Sequence, residues 1–284
     1  MKSISEELRD LASAFAEAGI ESAQADAELL LAHVLGISRG QLQAKALVGE
    51  TLTQQQLDLI DPLASRRIAR EPLQHLTGIA YFRRLELSVG RGVFVPRPET
   101  EAVVQLAIDE LNRLAGNPIA IDLGTGSGAI ALAMATEVPH ARVFAVEKST
   151  EAFIFTRTNF ERYESTGARL VLGDLADEFQ ELNGTAQVVV SNPPYIPTEA
   201  VPRDIEVRDF DPELALYGGE DGMAVMNLVS ASAKRLLVPS GLLVVEHADS
   251  QAEQVCQLLL AQGWSEVTKH QDLTGRDRAV TARR

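Results

Sequence analysis

The chain has 284 residues, 45% of them apolar and 23% charged, a globular make-up with room for one substantial domain and a small second one. Twenty-six basic against forty acidic side chains give a formal net charge of −14, so the surface as a whole repels a phosphate backbone and suits a protein partner better. No apolar run approaches the roughly 18 residues of a membrane span, Met1-Lys2-Ser3-Ile4-Ser5-Glu6-Glu7 lacks the apolar stretch of a secretory signal, and the single cysteine, Cys256, cannot form an internal disulfide. A cytoplasmic protein is expected.

Ser3-Ile4-Ser5-Glu6 has the form of a capping box, after which Leu8, Leu11, Ala12 and Phe15 recur at helical spacing until Gly19. A second apolar series, Leu29, Leu30, Val34 and Leu35, stops at Gly36, and a third, with Leu57, Ile60, Leu63 and Ile68, runs toward Pro72. Residues 1–78 therefore read as a small all-helical domain that helps dock a substrate. Arg66-Arg67 with Arg70 is a basic cluster of the size usually found on a solvated helix face. From Gly78 the texture changes. Tyr81-Phe82 and Leu85-Glu86-Leu87-Ser88-Val89 alternate, Gly90 and Gly92 punctuate, and Val93-Phe94-Val95 leads to Pro96, so 79–97 reads as a β-hairpin linker between two domains.

Over 98–284, helical stretches alternate with short apolar runs at Ile119 to Leu123, Arg142 to Val146, Leu170 to Leu172, Val188 to Val190 and Leu242 to Val245. That order predicts an α/β fold with a doubly wound, mostly parallel sheet. Cys256, beside Val255 and Leu258 to Leu260, belongs on a helix face packed against the core. Between the first of these strands and its helix lies Asp122-Leu123-Gly124-Thr125-Gly126-Ser127-Gly128-Ala129. Alternate glycines let the backbone approach a ligand closely, and the helix amino terminus beyond favours an anionic group. The spacing nearly satisfies the dinucleotide fingerprint, with Ala129 in its last position, so NAD is one candidate ligand. A tight turn with no ligand is another reading. Glu147 closes the next strand about twenty residues on, where a carboxylate can accept both ribose hydroxyls of an adenosine or simply face solvent. Gly173-Asp174-Leu175 follows the third strand, and Asp174 could cap a turn there.

Ser191-Asn192-Pro193-Pro194-Tyr195 ends the fourth strand at the sheet's carboxyl edge, where open α/β sheets place their ligands. Two prolines fix the backbone and withhold N–H groups, leaving carbonyl acceptors. Such a turn suits a planar nitrogen whose lone pair is delocalised. The Asn192 side-chain oxygen and the Pro193 carbonyl can each accept one N–H and turn that nitrogen toward an electrophilic methyl, with catalysis by positioning and electrostatics. Tyr195 can pack on the planar group and exclude water.

Asp122, the glycine loop and the Asn192 to Tyr195 turn together resemble class I methyltransferases, whose loop holds the methionine portion of S-adenosyl-L-methionine. Phe94-Val95-Pro96-Arg97-Pro98-Glu99-Thr100-Glu101, Gly219-Glu220-Asp221-Gly222 and Gly275-Arg276-Asp277-Arg278, with the helical leader in front, resemble the PrmC/HemK family of release factor glutamine methyltransferases. This resemblance implies a Rossmann-like, seven-stranded methyltransferase domain over 98–284. It implies donor contacts from Asp122, Gly124, Thr125, Gly126, Ser127, Gly128, Glu147, Asp174, Leu175 and Asn192, with S-adenosyl-L-homocysteine as product. Asn192, Pro193, Pro194 and Tyr195 would frame the glutamine, and Phe94, Arg97 and Glu99 would line the substrate pocket. Arg97 and Glu99 could equally form an ion pair that fixes the hairpin. The implied partners are class I peptide chain release factors, met by a monomer with no metal, no direct nucleic-acid contact and no membrane. Glu147 stands where the family commonly has aspartate, Leu175 where some relatives have an aromatic residue, and His247-Ala248 where an apolar residue and glycine are usual; His247 reads as a packing variation. Two other readings share some of these features: an N6-adenine methyltransferase acting on DNA or RNA, which should also carry a basic base-flipping surface, and a non-catalytic adaptor for release factor or ribosome.

Overall fold

The computed structural model describes residues 2–284. The chain divides into two compact units, one of residues up to Ile79 together with Pro202–Phe210, the other of Ala80–Val201 with Asp211–Arg284.

The first unit is helical: α1 (Ile4–Glu17), α2 (Ala23–Leu35), α3 (Arg39–Leu47), α4 (Gln54–Ile68) and α5 (Leu73–Thr77). The expected capping box at Ser3 and Glu6 is formed, and the same device, Ser38 with Gln41 and Thr53 with Gln56, starts α3 and α4. Gly36 ends α2 in the left-handed conformation. The helix α3 goes unanticipated because it carries little apolar periodicity; Leu42 is its one buried residue. Phe15, Leu30, Leu31, Leu42 and Ile60 form the centre of this unit's core.

The expectation of a solvated basic face at Arg66, Arg67 and Arg70 is corrected. Arg67 is 5% exposed; its guanidinium bonds Asp26 at 2.8 Å and Glu206 at 3.0 Å, while Arg70 meets Glu206 at 2.5 Å. Only Arg66 stays on the surface, paired with Glu71. Burial alone would raise the Glu206 pKa, but hydrogen bonds from Arg70 and Arg67 hold it down to about 2. The acids that bury these arginines lie 41 and 136–139 residues away in sequence, out of reach of local charge patterning.

From the boundary at Ile79 the chain forms the hairpin β1 (Ile79–Phe82) and β2 (Leu85–Ser88), then α6 (Thr100–Arg113), β3 (Ile119–Leu123), α7 (Ala129–Glu137), β4 (Arg142–Glu147), α8 (Thr150–Arg162), β5 (Arg169–Leu172) and β6 (Ala186–Ser191). It continues with α9 (Ile205–Phe210), which groups with the first unit, α10 (Glu213–Leu216), α11 (Ala224–Leu236), β7 (Leu237–Glu246), α12 (Ala252–Ala261), β8 (Ser265–Gln271) and β9 (Asp277–Arg283). The seven-stranded sheet has the order β5-β4-β3-β6-β7-β9-β8, parallel except for β9, which runs antiparallel to both neighbours. This is the methyltransferase-like α/β fold expected from the sequence.

The strands read as near-continuous apolar runs because both faces are covered. Val143, Ala145, Val188 and Val190 pack with α6 and α7; Phe144, Val146, Val189 and Val245 pack with α11 and α12. The hairpin contributes Phe82, Leu85 and Leu87 to the first of these layers. Cys256 is buried on the inner face of α12, as its neighbours indicated. The edge strand β8, Ser265-Glu266-Val267-Thr268-Lys269-His270-Gln271, is largely exposed and too polar to announce itself.

Candidate active site

The chain winds outward from β3 in both directions, through β4 to β5 on one side and through β6 to β7 on the other. The carboxyl ends of β3 and β6 thus flank the point where strand order reverses, the crevice in which such sheets bind ligands. Leu123, Glu147 and Ser191 end the three adjacent parallel strands, so the glycine loop, the Glu147 carboxylate and the Asn192 turn emerge along one edge.

Gly124, Gly126 and Gly128 have φ of +77°, +56° and +87°, a region other residues enter at a cost. A methyl group built on Gly124 or Gly126 would meet no protein atom within 4 Å, so these two positions leave open space before the backbone. Gly128 differs: there the methyl would lie 2.9 Å from the Phe160 ring, so its smallness serves the packing of α7 on α8. Asp122 is fully buried beneath the loop. Its Oδ2 accepts from the Thr125 hydroxyl at 2.5 Å and the Ala131 N–H at 3.1 Å, its Oδ1 has no hydrogen-bond partner, and burial pushes its pKa up to about 7. Thr125 and Ser127 are buried too, the Ser127 carbonyl accepting from Asn159.

Glu147, longer than the family's common aspartate, reaches back into the loop: Oε2 accepts from the Gly126 N–H at 2.8 Å and Oε1 from the Ser149 N–H at 2.7 Å. Burial raises its pKa against these bonds. The carboxylate keeps lone-pair capacity that could take a hydroxyl. Asp174 caps its own turn through the Ala176 N–H at 3.0 Å and pairs with Lys148 at 2.8 Å, which, with that N–H, lowers its pKa. Leu175 is half-buried against the cluster that holds Ile121 and Phe144.

The Asn192 turn is fixed by its neighbours. The Ser191 hydroxyl donates to the Leu123 carbonyl at 2.6 Å, tying β6 to the end of β3. Beyond the turn, Ile196 bridges Tyr217, and the Gln251 side chain donates to the Tyr195 carbonyl at 2.8 Å while accepting from the Ala248 N–H at 3.1 Å. A methyl on Gly218 would come within 2.5 Å of the Pro194 carbonyl oxygen, and one on Gly222 would collide with that of Tyr195. The Gly219 to Gly222 motif is therefore a backbone buttress for the turn. Gln251 and Gly218 escaped the sequence reading, since a lone glutamine and one glycine among twenty carry no local signal.

Arg97 and Glu99 do not form the ion pair considered as an alternative. The Arg97 guanidinium instead bonds the buried Asp211 carboxylate at 2.7 Å and lies 5.0 Å from the centre of the Phe94 ring. A link between residues 114 positions apart could not be read from the chain. Thr100, first residue of α6, faces Asn192, whose Nδ2 lies 3.5 Å from its hydroxyl. Behind both is Glu246, the last residue of β7 and 1% exposed, with Arg278 from the Gly275 to Arg278 motif as its nearby positive charge. Sequence reasoning passed over Glu246, although an acid closing an apolar strand was the signal that picked out Glu147. His247 is fully buried with Nδ1 2.7 Å from the Ala248 carbonyl, and burial lowers its pKa.

Residues 6–78 match the PrmC N-terminal domain family and residues 88–208 the methyltransferase small domain family. The chain is 49% identical to a release factor glutamine methyltransferase of Streptomyces coelicolor, covering 95% of this chain and 94% of that protein. It is 42% identical to one of Bifidobacterium longum, over 98% and 99% of the two. Among solved structures, the hMettl16 catalytic domain, crystallised with an RNA hairpin, is similar in fold at a TM-score of 0.53 and 14% identity, covering 69% of this chain and 75% of that one.

Proposed function

The chain belongs to the release factor glutamine methyltransferases, and from that premise we propose that it methylates the side-chain amide nitrogen of the glutamine in the Gly-Gly-Gln motif of class I peptide chain release factors. The observation that carries this is the Asn192-Pro193-Pro194-Tyr195 turn, braced at the switch point beside a glycine loop with open space before it. S-adenosyl-L-methionine supplies a methyl group on a sulfonium and leaves as S-adenosyl-L-homocysteine. The fit is good. Gly124 and Gly126 would admit a ligand against their backbone, Glu147 would accept ribose hydroxyls, and Asp174 and Leu175 would hold the adenine.

The residues of the turn do the rest. Asn192 Oδ1 and the Pro193 carbonyl each accept one N–H of the glutamine amide, which aims the nitrogen and stabilises the positive charge it gains in the transition state. Tyr195 packs against the amide plane, with Phe94 and Arg97 lining the approach. The methylated nitrogen loses its extra proton to water, so no side-chain base is required. The donor-binding loop and the turn would serve an adenine equally well, but a surface with net charge −14 disfavours a nucleic-acid substrate. The enzyme acts as a monomer in the cytoplasm, where its substrate works.

Incubation with labelled S-adenosylmethionine and either release factor or DNA, followed by peptide mass mapping, tests the assignment. Label on the glutamine of release factor is expected; label on nucleic acid alone overturns it.

A further inference from the structure

We propose that Glu246 is a positioning residue for the reaction: together with Thr100 it engages the Nδ2 end of the Asn192 amide, so that Oδ1 is the end left to accept from the substrate. The register of the sheet makes this contact. Ser191 pairs with Val245 across parallel β6 and β7, which sets Asn192 and Glu246 side by side one residue further on. Thr100 closes the group from the amino end of α6 and is 4% exposed.

Asn192 Nδ2 lies 3.5 Å from the Thr100 hydroxyl, and both side chains lie beside the Glu246 carboxyl, close enough to lower its pKa against burial. An amide rotated by 180° would turn Oδ1, an acceptor, onto a carboxylate that is also an acceptor. The ionised carboxylate thus selects one of two otherwise nearly isosteric orientations, and that one leaves Oδ1 free. A buried carboxylate is costly unless compensated, and Glu246 Oε2 has no hydrogen-bond partner, so packing alone does not account for this residue.

The charged and titratable groups facing Glu246 are Arg278 from β9 and Glu99 ahead of α6, with Tyr195 of the turn beside Arg278 and Glu99. Burial, aided by Glu99, pushes the Glu246 pKa up to about 7 against the nearby Thr100 and Asn192 side chains and the charge of Arg278. Protonation removes the selection, since a neutral carboxyl can donate to Oδ1 and stabilise the wrong orientation. Turnover should therefore rise with pH through about 7.

The inference rests on the glutamine-amide reading, and release factor with labelled S-adenosylmethionine is the assay for both. Glu246→Ala should lower kcat by roughly 10- to 100-fold, the scale of a misplaced reacting group, with donor Kd and release-factor KM within twofold of wild type. Glu246→Gln should recover much of that loss, because its carbonyl can accept from Nδ2, and should lose the acidic limb near pH 7. Wild-type kcat in Glu246→Ala, or an acidic limb intact in Glu246→Gln, overturns the inference; if the alanine variant does not fold, the pH profile of the glutamine variant decides alone. Loss confined to donor Kd also overturns it, since a merely structural residue would act that way. Wild-type enzyme that leaves release factor unlabelled refutes the substrate assignment instead, so the two failures are distinct.

Discussion

Asn192 differs from every other residue of the turn in offering a side-chain acceptor at the point where the strand ends. Asn192→Ala should leave donor binding in place and lower turnover by roughly 10²–10³, the effect of removing one electrostatic partner of the transition state; unchanged turnover in a steady-state assay would refute the role. Gly126 offers open space and a φ of +56° instead. Gly126→Val should abolish donor binding, and calorimetry showing normal affinity would count against the loop as the donor site. Asp122 has a folded pKa of about 7 against an ordinary 3.8, so the folded state holds a proton that the unfolded chain releases. Its contribution to stability is present in full below about pH 4 and is lost as pH rises toward 7. Asp122→Asn should flatten that dependence, so denaturation midpoints at pH 5 and pH 8 should differ less in the variant than in wild type.

At the scale of elements, the turn owes its shape to a loop that follows it by more than twenty residues. At Gly218 and Gly222 the backbone lies so close to the Pro194 and Tyr195 carbonyls that a side chain at either position would displace them. Gly222 also has a φ of +77°, so Gly222→Ala meets both strain and collision. Turnover should fall by about 10²-fold, as for a reacting group shifted by 1 Å, while donor affinity, which the proposed function assigns to the β3 loop, should stay near wild type. Equal losses in kcat and donor affinity would mean that the buttress supports the whole edge rather than the turn. The family motifs divide by task on this view: Gly219 to Gly222 braces the turn, Gly275 to Arg278 brings Arg278 toward Glu246, and Phe94 to Glu101 supplies Arg97 to Asp211 and Thr100 to Asn192.

Across the molecule, one long-range charge cluster lies within the helical unit, where Pro202–Phe210 joins helices more than 130 residues earlier. Arg67 stands between Asp26 and Glu206 with its side chain 6% exposed. Removing one member of a buried ion pair strands its partners, so Arg67→Ala should destabilise this unit by roughly 3–5 kcal/mol. Chemical denaturation followed by a probe in the helical unit measures it, and a change below 1 kcal/mol would show that Arg70 suffices. The Glu206 pKa is depressed, so stability from this cluster is present above about pH 4.5 and lost as pH falls toward 2.

The sequence by itself determined whatever depends on neighbours a few residues apart. Capping residues, glycine stops and apolar runs marked several helices and the five adjacent parallel strands, and Gly124 to Gly128 and Asn192 to Tyr195 stood out because their chemistry is contained in consecutive residues. Cys256 was placed on the core by its own neighbours. Only the tertiary structure decided which partner a charge would find. Arg97 met Asp211 rather than Glu99, and Arg67 was buried rather than solvated; Glu246 came to face Asn192 because β6 and β7 run in parallel register. The physical reason is common to all three: a local pattern reports how a segment buries its apolar face, whereas a polar pairing is fixed by atoms that folding brings together from distant parts of the chain.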